Sequence, residues 1–137
     1  MEDLPTLFVS SRTHTKDLIG AAQEIFKALG IMEWEERESS NYPPDGHYAV
    51  AYASNVTVEV YDTDDDRLGD YPFTVSCSRP TYRKGTEAVS ETSSEIATIL
   101  AAGGFEVLIP LGPWWLTEWD RQGIEHKAEQ AVSPNGP

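Results

Sequence analysis

The chain has 137 residues, 23 Asp plus Glu against 10 Lys plus Arg for a net charge of −13, 39% hydrophobic residues and a single cysteine. A chain of this length buries roughly two thirds of the surface its unfolded form exposes, so one packed domain is expected over residues 1–132 without disulfide staples, with a flexible tail over 133–137. The acidic balance argues against nucleic acid and anionic membranes as partners, and the lone cysteine argues against a disulfide scaffold.

Residues 6–11 alternate Leu7 and Val9 with Phe8 and Ser10, the pattern of a short strand. Thr13 and Thr15 are N-cap types, and Leu18, Ala22, Ile25, Phe26 and Leu29 then recur at helical spacing until Gly30, which predicts a helix over residues 16–29. Residues 31–40 read as an edge strand guarded by its carboxylates, with Met32 and Trp34 on the face of Glu36 and Glu38. Asn41-Tyr42-Pro43-Pro44-Asp45-Gly46 is a turn. Two readings fit residues 48–61: one long strand with Tyr48, Val50, Tyr52, Val56, Val58 and Val60 in phase, or a hairpin turning at Ser54-Asn55.

A loop over residues 62–70 leads to a strand in which Phe73, Val75 and Cys77 alternate with Thr74 and Ser76. Residues 78–85 are basic and loop-like, and residues 86–102 form a second helix whose start Ser90, Thr92 or Ser93 could each cap. A strand over residues 105–111 follows. A tryptophan-rich helical segment is expected from Trp114 to about Gln122. The apolar stretch at residues 96–116 is broken by Gly103-Gly104, Pro110 and Pro113, so no membrane span is expected. The opening Met1-Glu2-Asp3-Leu4-Pro5 is acidic where a signal peptide is basic, and the expected location is cytoplasmic.

The order β-α-β-β-β-α-β, or one strand more, predicts an α+β two-layer sandwich: a mainly antiparallel sheet covered by two helices, with the Trp-rich segment appended. In topology this resembles a ferredoxin-like, split βαβ variant. The resemblance carries no function.

Asp62, Asp64, Asp65, Asp66 and Asp70 crowd one loop. The Asp62, Asp64, Asp66 spacing matches the start of a calcium loop, but Arg67 stands where glycine is needed and Phe73 where glutamate is needed, so no metal site is expected. As an acidic surface the loop suits a basic protein partner. Trp115 and Trp119 share a helical face and Trp114 points elsewhere, a composition that suits a protein contact or self-association as a homodimer. Arg12, His14 and Lys16 flank the first helix start and Arg79, Arg83 and Lys84 precede the second. Helix starts attract anions, and these six residues could share one anion pocket if residues 48–61 were a single strand.

No catalytic residue is assigned. The chain has no Gly-x-Ser-x-Gly elbow, Cys77 falls in phase with core residues, and His14, His47 and His126 are isolated from any zinc-ligand spacing. Asn55-Val56-Thr57 is a glycosylation acceptor only in a secreted chain. Three functions follow, none of which needs a cofactor. The first is an acidic protein-binding module that inhibits or neutralises a basic partner, resembling immunity proteins and phage inhibitors in size, acidity and two-layer plan. The second is a binder of, or enzyme for, a small phosphate-bearing or nucleotide anion. The third is an assembly subunit that self-associates through its tryptophans.

Overall fold

The computed structural model describes residues 5–11, 18–38, 46–63, 71–80, 85, 88–110 and 123–126. In chain order these form β1 (Thr6–Ser11), α1 (Leu18–Ala28), β2 (Glu35–Glu38), β3 (His47–Tyr52), β4 (Thr57–Asp62), β5 (Phe73–Ser78), α2 (Ser93–Ala102), β6 (Phe105–Pro110) and β7 (Gly123–His126). The fold is α+β: one seven-stranded sheet, ordered β2-β3-β4-β5-β1-β6-β7, with every neighbouring pair antiparallel, plus two helices.

Of the two readings of residues 48–61, the hairpin is the one found. The Ala53 N–H donates to the Val56 carbonyl at 2.9 Å, closing a turn at Ser54-Asn55. Tyr48 then lies opposite Tyr61, Val50 opposite Glu59 and Tyr52 opposite Thr57. The turn resets the alternation. Ala49, Ala51 and Ala53 share the core face with Val56, Val58 and Val60, while Tyr48, Val50 and Tyr52 point to the other side.

Helix α1 packs over β3 and β4, and α2 packs over β6, β1 and β7. Between helices and sheet, Leu7, Val9, Ile25, Phe26, Phe73, Val75, Ile96, Leu100, Phe105 and Val107 form one buried core. Small residues sit where helix and sheet meet: Ala21, Ala22, Ala49 and Ala51 are all fully buried. On the opposite face of the sheet, Phe8 and Leu108 are buried with Tyr71 packed against them.

The end of α1 and the start of α2 each have a local cause. Gly30, at φ 80°, ends α1 in a Schellman arrangement: its own N–H donates to Lys27 O at 3.1 Å and the Ile31 N–H donates to Phe26 O at 2.8 Å. Ile31 is thereby spent on the helix stop, and the strand expected from residue 31 begins only at Glu35. Trp34 precedes that strand and lies tilted against Phe26, ring centroids 5.4 Å apart.

Helix α2 is shorter than the expected 86–102. Thr92 caps it by accepting from the Glu95 N–H at 3.4 Å, and Ser90 Oγ donates to Glu95 Oε2 at 2.8 Å. Val89 fits the helical stripe in sequence, but both its backbone groups are held by the Asn55 side chain, which keeps it out of the helix. Strand β7 was not expected; it pairs with β6 from Pro110↔Gly123 to Val107↔His126. The tryptophan segment expected to be helical lies between these two strands, outside the described residues.

Candidate functional site

The sequence-derived site residues divide sharply. Asp62 ends β4 opposite Phe73, whereas Asp64, Asp65, Asp66 and Asp70 lie outside the described residues. So do Trp114, Trp115 and Trp119, and of the basic set Arg12, His14, Lys16, Arg83 and Lys84. Arg79 is described. Its Nη1 lies 3.4 Å from Glu91 Oε1, an exposed ion pair at the approach to α2.

The strand register fixes where the two basic segments leave the sheet. Strand β1 ends at Ser11 beside Phe105, at the end of the sheet where β5 begins; β5 ends at Ser78 beside Thr57, at the other end. A joint pocket needed both segments at one end, which followed from a single strand over residues 48–61. With the hairpin that condition is not met.

A different constellation is built by β2, β3 and β4 on the face away from the helices. Pairing across the strands puts Arg37 opposite Tyr48, Tyr48 opposite Tyr61, Glu35 opposite Val50 and Val50 opposite Glu59. Glu59 is in turn opposite Ser76 of β5. Tyr52 completes the face two residues beyond Val50. Period-two alternation dictates that these side chains share one side.

The electrostatics of this face follow from its carboxylates. Burial pushes the Tyr48 phenol above its ordinary value, and Glu59 adds to that push. Burial likewise raises Tyr61, opposed by a hydrogen bond with Ser76 and reinforced by Glu59. The Arg37 guanidinium is pushed above its already high ordinary value, chiefly by its hydrogen bond to Glu35 at 2.9 Å. The face therefore sets phenol rings beside carboxylates, an arrangement suited to cations.

At the edge, His47 lies between two carboxylates of β2: Nδ1 is 3.3 Å from Glu36 Oε1 and Nε2 is 3.3 Å from Glu38 Oε1. Cys77 is buried and its thiol is pushed up to about 12, by desolvation first and by Glu91 second, so no thiolate is available for chemistry.

Sequence reasoning missed the tyrosine face because its key partner was in the wrong phase. Tyr48 and Tyr52 alternate visibly, but Tyr61 joins them only once the chain turns at Ser54-Asn55. No helix among the described residues is long and apolar enough to cross a membrane. In comparisons with protein-family models, with curated proteins and with solved structures, nothing matches this chain.

Proposed function

We propose that this chain is a small acidic protein-binding module that inhibits or neutralises a basic partner protein in the cytoplasm. The observation that supports it most is the concentration of charge: between Asp62 and Asp70 the sequence holds five carboxylates and one arginine, Arg67. Such an imbalance costs self-repulsion in the folded state, and a positive surface brought up to it relieves that repulsion and is steered into association. We assign the contact to Asp62, Asp64, Asp65, Asp66 and Asp70 together with Trp114, Trp115 and Trp119, carboxylates supplying steering and indoles supplying buried area.

We further infer the split βαβ plan of ferredoxin-like domains, with β2, β3 and β7 as additions. It is supported by β1 lying between β5 and β6 while a helix follows each of β1 and β5. The functional reading is tested by recovering partners from a native lysate at low salt and measuring association rates for the identified protein. A basic protein whose association rate falls with salt, and falls again when Asp64, Asp65 and Asp66 are changed together to Asn, is the expected result. Capture of a partner that is indifferent to both overturns the reading.

A further inference from the structure

We propose that the helix-free face of β3 and β4 receives an arginine or lysine side chain of the partner, seated among Tyr48, Tyr52 and Tyr61 against the Glu59 carboxylate. The inference rests on the protein-binding reading above and gives it a contact point apart from the Asp62–Asp70 loop and the tryptophans.

The register carries the geometry. Glu59 stands opposite Val50, so Tyr48 and Tyr52 lie on its two diagonals and Tyr61 follows two residues along its own strand. Diagonal neighbours across an antiparallel pair are about 7 Å apart, within reach of aromatic side chains. Three tyrosines thus occupy positions neighbouring one glutamate on this face. All four residues are partly exposed.

The same face already holds a guanidinium of its own. Arg37, directly opposite Tyr48, donates through Nε to Glu35 at 2.9 Å. A guanidinium fits such a surroundings because it stacks on rings and forks onto carboxylates, which an ammonium does less well.

Charge complementarity selects the occupant. A phosphate-bearing ligand is repelled by Glu35 and Glu59, and a second copy of a chain with net charge −13 is repelled as a whole. A cationic side chain from a basic protein gains both the carboxylate and the ring faces.

The test uses the intact chain and a synthetic nona-arginine peptide, followed at low salt by calorimetry and by amide chemical shifts. Binding is expected to shift signals in β3 and β4, and Glu59→Gln and Tyr48→Leu are each expected to weaken it about tenfold while leaving the thermal unfolding of the free protein unchanged. Peptide binding that is equal in wild type and Glu59→Gln overturns this site. If that same binding is weakened by changing Asp64, Asp65 and Asp66 to Asn, the protein-binding reading stands without it. Weakening by Glu59→Gln but not by Tyr48→Leu overturns the role of the rings. No binding of the peptide by the wild-type chain overturns both readings.

Discussion

The side-chain amide of Asn55 pairs with the backbone of Val89 in both directions: Nδ2 donates to the Val89 carbonyl at 2.6 Å and Oδ1 accepts from the Val89 N–H at 3.0 Å. Nδ2 also donates to Glu91 Oε2 at 3.0 Å. One side chain thereby ties the β3–β4 turn to the segment that enters α2, and it stands in for a backbone bridge. Asn55→Asp removes the donors and sets a carboxylate against Val89 O and Glu91. The expected loss is about 2–3 kcal/mol, the penalty for stranding part-buried polar groups, read as a lower urea midpoint at unchanged slope. Asn55→Ala, which adds no repulsion, should lose less.

Cys77 makes stability depend on alkaline pH. Unfolded, the thiol ionises near its ordinary value of 9.0; folded, burial pushes it up to about 12. Between those values the folded state binds more protons than the unfolded state, so stability held below pH 9 is lost as pH rises through that window. The expected loss attributable to Cys77 is about 1 kcal/mol between pH 8 and pH 10. Tyr48 and Tyr61, both raised by burial, add in the same direction at higher pH. Urea unfolding of wild type and Cys77→Ala at the two pH values measures it. Equal pH slopes in both proteins would show that Cys77 titrates alike folded and unfolded.

Much of the fold is legible in the sequence wherever the apolar period is unbroken. Leu7 and Val9, Phe73, Val75 and Cys77, and Phe105 and Val107 mark strands, and Leu18, Ala22, Ile25 and Phe26 mark α1, because each needs only its own neighbours to be read. What stays hidden depends on partners distant in sequence. The Ser54-Asn55 turn carries no glycine to announce it, and the phase reset it causes shows only in the pairing Ala51↔Val58. Val89 continues a helical stripe that a contact from Asn55 cancels. Strand β7 has one apolar residue, Ile124, half exposed, and is a strand because β6 lies beside it. The tyrosine face inherits the same difficulty, since half of it lies beyond the turn.

The alanines at the interface of α1 with the sheet give that lesson a test. Ala51 is fully buried and lies opposite Val58 under α1. A single strand over residues 48–61 would put it on the face away from the valines. On the core face Ala51→Leu must push α1 away from β3, at about 1–3 kcal/mol, with a reduced thermal midpoint as the readout. Tolerance of leucine would place Ala51 outside the core and return the single strand.

Two glycines separate strain of conformation from strain of space. Gly30 has φ +80° and open space around a would-be Cβ, so Gly30→Ala costs only the left-handed backbone, about 1 kcal/mol. At Gly85 the problem is contact: a Cβ would overlap the Tyr52 carbonyl oxygen and lie 3.1 Å from its carbon. Those are backbone atoms of β3, and the Gly85 N–H itself donates to Ala53 O at 3.3 Å, so neither side can yield without moving the end of the strand. Gly85→Ala should therefore cost more than Gly30→Ala, about 2–3 kcal/mol, and should shift the Tyr52 ring signals, which Gly30→Ala leaves alone. Equal costs with an unmoved Tyr52 would mean that Gly85 does not bear on β3. A larger cost with a displaced Tyr52 would make Gly85 the backstop that holds one wall of the tyrosine face in place.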